Sequence, residues 1–355
     1  TPIDPAEREH AIAAGVRAAE LAREQGRLDL ESAAIDGTGS AIITLGHYGR
    51  LRDMLARRLE IAEQIEDPWE AGDAYAMVAW NGAMIGEFER SVRWGLLGRD
   101  RGEGQAAGIV DHCLNWAGTG LFHLGEWDRQ LEIFREVQVL MGERAEEPPY
   151  FMMSLFGATA FVHEARGLPS ARQLLDLLER TRGTAIEASV MASHWVAWAV
   201  ARRGERDRAW TLVRDRTVES QTFRPFHDQV VAELLALTGR WDEAPDFLEG
   251  SRAYAADAGL LALPVHLDRL EGRTAIAAGR LEDGLETLQR ARDGFARLGA
   301  AWERGRTELD LADAFGSAGR EAEARMRLDA AKPDLERAAA LIELERLRSL
   351  RDRLA

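Results

Sequence analysis

Apolar residues in this chain recur at helical spacing in paired stretches, and a short polar turn built on a glycine divides each pair. The turn glycines are Gly46, Gly86, Gly125, Gly167, Gly204, Gly239, Gly279 and Gly319. They follow one another at intervals of 40, 39, 42, 37, 35, 40 and 40 residues. A near-constant period of this length marks stacked supersecondary units, none of which can bury its apolar face alone. In Leu124-Gly125-Glu126-Trp127-Asp128 and Thr238-Gly239-Arg240-Trp241-Asp242, glycine supplies the left-handed residue that closes one helix. The acidic residue then favours the start of the next. The pattern predicts an all-α chain of about eight antiparallel helix hairpins.

A second register runs in phase with the first. Seven residues before each turn glycine stand Gly39, Ala79, Gly118, Ala160, Ala197, Ala232, Gly272 and Ala312. Only Gly or Ala occurs there, as expected where two helices of a hairpin cross too closely for a larger side chain. Ser91, Ala209, Ala244, Gly284 and Ala324 occupy the position five after the glycine. Two after it come Tyr48, Phe88, Trp127, Trp241 and Leu281, bulky groups expected to wedge between neighbouring hairpins.

This sequence of small, large and small positions resembles the tetratricopeptide repeat over residues 30–335. The resemblance implies a right-handed superhelical solenoid. The spacing here is looser than that family's period of about 34 residues, and Pro169 makes the hairpin at Gly167 irregular. The expected organisation is an N-terminal helix over 1–28, the solenoid over 29–335 and a capping helix over 336–355. Residues 5–25 read as the second half of a hairpin whose first half is absent, as in a piece of a larger protein. At the other end Leu341, Leu344, Leu347 and Leu350 share one side of a charged helix, which suits a cap with a polar outer face.

Composition narrows the function. A hydrophobic content of 46% supports a packed core, and a net charge of −15 argues against nucleic acid or acidic membranes as partners. The single cysteine, Cys113, excludes an internal disulfide and a cysteine-rich metal site and suits a reducing cytoplasm. The longest uncharged apolar stretches, 148–162 and 188–201, fall short of the roughly 18–20 residues of a membrane span. A P-loop is impossible, because Lys332 is the only lysine. A His-Glu-x-x-His helix and a Gly-x-Ser-x-Gly elbow are absent as well. No cofactor, metal or catalytic group is expected.

The chemistry that remains is on the face the first helix of each hairpin turns inward. Helical spacing places Trp80, Asn115, Thr119, His194, Trp198, Gln229, Arg269 and Arg273 on or near it, with Asp73 and His112 one turn earlier. Trp116 and Trp195 lie at its border. Aromatic walls with a few convergent polar groups suit a small molecule or a peptide. The same aromatics can instead fill the axis of a tightly wound superhelix, and the arginines can pair with Glu233, Asp310 and Asp313.

The C-terminal third carries a further likeness. Asp293-Gly294-Phe295-Ala296-Arg297-Leu298-Gly299-Ala300, Trp302 to Ala314 and Gly319-Arg320-Glu321-Ala322-Glu323-Ala324 resemble the sensor solenoid of bacterial multidomain signalling ATPases. Maltose-activator-type regulators and cyclases with ATPase and repeat domains belong to that group. The likeness implies a cytoplasmic sensor or scaffold that takes a small molecule or peptide in its concave groove. Quorum-peptide receptors share the style but grip peptide backbones with inward asparagines, and only Asn81 and Asn115 occur here. The alternatives are a protein-interaction adaptor and an enzyme in an all-helical shell.

Overall fold

Each of the eight turn glycines lies between two consecutive α-helices and has a positive φ, from 63° at Gly167 to 101° at Gly86. The computed structural model describes residues 5–102, 104, 107–181, 186–214 and 221–354. Among them are 18 α-helices and no strand. After α1 (Pro5–Glu24) come the pairs α2 (Leu28–Leu45) with α3 (Tyr48–Ala62) and α4 (Pro68–Ile85) with α5 (Phe88–Gly102). Next are α6 (Ala107–Leu124) with α7 (Trp127–Met141), α8 (Met153–Ala165) with α9 (Ala171–Thr181), and α10 (Ile186–Arg202) with α11 (Arg206–Arg214). The chain continues through α12 (Arg224–Thr238), α13 (Ala244–Ala258), α14 (Leu263–Ala277) and α15 (Leu281–Arg297). It ends with α16 (Ala301–Ser317), α17 (Glu321–Ala338) and α18 (Leu341–Arg353). Neighbouring helices pack in sequence order, with α1 against α2 and α18 against α16 and α17.

Local chemistry sets the helix ends. The Asp67 carboxylate accepts the Trp69 backbone N–H at 2.9 Å, and Pro68 takes the first helical position of α4, where its missing N–H costs nothing. Gly46 closes α2 in the left-handed conformation, its N–H donating to the Ile43 carbonyl at 2.9 Å.

The small-residue register sits at helix crossings. All eight residues seven before a turn glycine are buried, as are Ser91, Ala209, Ala244, Gly284 and Ala324. At the α14–α15 crossing a Cβ added to Gly272 would lie 3.0 Å from the Gly284 carbonyl oxygen. One added to Gly284 would lie 2.8 Å from that of Gly272. Tyr48, Phe88 and Trp127 are buried wedges, while Trp241 and Leu281 are only half-buried.

The chain also returns on itself across long separations. The Tyr48 hydroxyl donates to the Thr222 carbonyl, 174 residues ahead, at 2.6 Å. The Leu261 and Ala262 amides donate to the Ile85 carbonyl at 2.7 and 3.1 Å. Gly125 abuts Trp302. Arg166 donates to the Ala338 carbonyl, 172 residues ahead, at 2.8 and 3.0 Å. Four successive turn regions thus each meet a segment 172–177 residues further on.

That return fills much of the interior. Trp302, at the start of α16, inserts among Phe122, Trp127, Phe161 and Trp198, with ring centroids 5.2–6.0 Å apart. Edge-on and tilted contacts of this kind are favourable beyond the area they bury.

Candidate functional site

The inner helices leave one largely apolar cavity of about 280 Å³. Ile43 and Thr44 of α2, Met77 and Trp80 of α4, and His112 and Trp116 of α6 form one side. Ser154 of α8, Met191 of α10 and the 3-10 turns Tyr150–Met152 and Gln221–Phe223 complete the described wall. Ser40 and Tyr150 are exposed, whereas Trp80, Trp116, Ser154 and Met191 are buried. The aromatic rings brace one another. Trp80 meets Trp116 edge-on at 6.4 Å, and the His112 ring lies 5.1 Å from Phe151, which meets Tyr150 at 5.7 Å.

A second layer fixes this wall. The Ser91 hydroxyl of α5 donates to the Trp116 carbonyl at 2.8 Å. The Thr119 hydroxyl stands 3.0 Å from that of Ser154 and 2.8 Å from the Asn115 carbonyl. Asn115 Oδ1 accepts the Leu155 N–H at 2.9 Å, tying α6 to α8. Burial lowers the pKa of His112, with Asp73 acting more weakly in the opposite sense. Asp73 is itself held by Arg58, whose Nη2 donates to it at 2.7 Å.

The residues expected on the inner face therefore divide. Trp80 and His112 line the cavity, Asn115 and Thr119 support it from behind, and Asp73 acts on His112 from outside the wall. Trp198 lies elsewhere, with its ring fully buried against Phe161 at 4.6 Å and Trp195 at 5.8 Å. It does not face an open groove, because α16 has packed onto that surface. His194 is buried and bonded on both ring nitrogens, Nδ1 to the Val190 carbonyl at 2.5 Å and Nε2 to His227 Nδ1 at 2.6 Å. Gln229 is buried outside the cavity wall.

Arg269 and Arg273 are also structural in their contacts. Arg269 donates to Asp310 at 2.8 Å, Glu303 at 3.0 Å and Glu233 at 3.2 Å, all buried. Arg306 bonds Glu303 at 2.8 Å and Glu233 at 2.5 Å. Arg273 donates to the Ala236 carbonyl at 3.3 Å and stands over the Trp241 ring. Burial tends to raise the Glu233 carboxyl, but Arg306 and Arg269 outweigh it and hold it well below the usual range. Glu233, His266 and Glu303 bring possible ligand atoms within 4.8 Å of one another. Arg269 and Arg306 already supply the positive charge there, which disfavours a cation.

The sequence rule that selected the inner face also contained residues it was not used to find. Six, three and two before Gly46 stand Ser40, Ile43 and Thr44, all in the wall. At the offset of His112, thirteen before Gly167 and Gly204, stand Ser154 and Met191, and at the offset of Trp116, nine before Gly86, stands Met77. The 3-10 turns carrying Phe151 and Phe223 follow no repeat, so periodicity gives no signal for them.

No family model matches the chain, and no curated protein matches its sequence. No described helix is long and apolar enough to cross a membrane.

Proposed function

We propose that this chain is a ligand-receiving module, the sensor part of a larger cytoplasmic signalling or transcription regulator of bacterial type. In this reading the helix pairs form a right-handed superhelix of eight hairpins, similar in style to tetratricopeptide repeats. A small molecule occupies the cavity inside its first turn. The module binds and does not catalyse.

One observation carries the reading. Five successive inner helices, α2, α4, α6, α8 and α10, each send at least one side chain to a single cavity. A ligand there touches five repeat units at once, so its binding energy favours one mutual arrangement of all five. That is how a repeat domain reports occupancy to whatever it is attached to.

The test is native mass spectrometry of protein purified under mild conditions, comparing the wild type with Ser40→Trp. Ser40 is an exposed wall residue, so added bulk narrows the cavity without disturbing the core. A bound small molecule in the wild type that is lost in the variant is the expected result. Repeated preparations with no adduct, together with no binding in the titrations below, would overturn the reading.

An adaptor role has one observation in its favour. An outer trough of about 1340 Å³ is lined by residues from α7 to α9, with Arg135, Arg144 and Arg180 beside Glu143, Glu146 and Glu147. Its mixed charge suits a polar protein surface.

A further inference from the structure

We infer that the cavity takes a neutral, flat, apolar molecule of one or two rings bearing a single hydrogen-bonding group, an inference that rests on the ligand-receiving reading above. The chain is 30% charged residues, yet none of the described residues lining this cavity is Asp, Glu, Lys or Arg. Other recesses of the molecule are different. The outer trough carries six such groups, and a cavity lined by residues of α11, α12 and α13 carries Arg214, Arg224, Asp228, Arg240, Glu243 and Asp246. An ion entering the aromatic cavity would lose water without meeting a counter-charge among the described lining residues, a heavy penalty in an apolar setting.

A cation held only by aromatic faces, as quaternary ammonium groups can be, is disfavoured as well. The carboxylate that acts on His112 is Asp73, and Arg58 already engages it at 2.7 Å. Arg58 thus neutralises the carboxylate that acts on His112. About 280 Å³ lies at the small end of ligand sites, too little for a peptide of several residues. The ring faces of Trp80, Trp116 and Phe151 supply the apolar area, while Ser40, Thr44, Thr222 and His112 offer hydrogen-bonding atoms within the same wall. A flat molecule with one such group satisfies both.

Three probes of similar size separate the possibilities: 1-naphthol, phenyltrimethylammonium and naphthalene-1-sulfonate, titrated calorimetrically at neutral pH. The expected result is one-to-one binding of naphthol, at least tenfold tighter than either ion. Met77→Asp, at a half-buried wall position, should weaken naphthol at least tenfold with the circular dichroism spectrum unchanged. Should that variant not fold, Ser40→Glu places the charge at an exposed wall position and should act in the same direction. Tighter binding of either ion would overturn the ligand class while leaving the ligand-receiving function standing. So would a co-purified peptide or ionic metabolite. Naphthol binding that survives both wall variants would place it elsewhere and overturn the inference. If no probe binds and no adduct is ever found, the function reading falls with it.

Discussion

Gly125 and Trp302 are in contact although 177 residues separate them. A Cβ added to Gly125 would stand 3.0 Å from the Trp302 amide nitrogen and 3.3 Å from its Cβ, and the glycine has φ 76°. Gly279 has nearly the same backbone, φ 78°, but nothing within 4 Å of an added Cβ. The pair separates conformational strain from packing.

Gly279→Ala should cost about 1–2 kcal/mol, the left-handed penalty alone. Gly125→Ala should cost that and roughly 1–3 kcal/mol more, because the new methyl must displace backbone. Urea unfolding of both variants gives the difference directly. Equal destabilisation would mean that the contact at Trp302 yields freely.

Trp198→Ala should destabilise by about 3–5 kcal/mol, as expected for deleting a large buried ring. Trp302→Ala should act comparably. Their rings lie 6.0 Å apart within one cluster, so the double variant should depart from additivity by about 0.5–3 kcal/mol. Strict additivity would show the two halves of the chain to be energetically separate at this point. A Trp198→Ala protein with an unchanged melting temperature would contradict the burial itself.

Acid should weaken the fold well before most carboxylates titrate. Burial lowers His123 and His266 to about 3 and His227 to about 4. In the unfolded chain each returns to roughly 6.5. As pH falls below that value the unfolded state takes up protons that the folded state refuses, so stability declines until about pH 3–4. Each histidine contributes on the order of 1 kcal/mol per pH unit. His123→Phe should flatten this limb, since the imidazole already stacks on Phe88 at 4.5 Å. Thermal melts at pH 7.5, 6.5, 5.5 and 4.5 provide the check, and a flat profile from 7.5 to 5.5 would refute it.

The turns and crossings were legible in sequence because each rests on a local requirement. A left-handed residue demands glycine, and a close crossing at Gly272 and Gly284 demands the absence of a side chain. The cavity was only partly legible. Trp80 and His112 could be placed on a face by counting along one helix. Whether that face was open or covered depended on which helix came back to meet it, and α16 covers Trp198 but not Trp80. Nothing near Trp198 in sequence encodes the arrival of Trp302. Phe151 and Phe223 escaped for a different reason, since they stand on irregular 3-10 turns outside the periodic pattern.

The contacts made 172–177 residues apart, with Gly49 against Gly259 further on still, lock distant parts of the chain into one register. Stacks joined only to their nearest neighbours can gain or lose a unit and simply change length. Here Tyr48 is addressed to Thr222, Ile85 to Ala262, Gly125 to Trp302 and Arg166 to Ala338. Excising one unit from the middle would leave each of these partners a full repeat out of step, and duplicating one would do the reverse. The number of helix pairs between the two sides of these contacts is therefore a specified quantity.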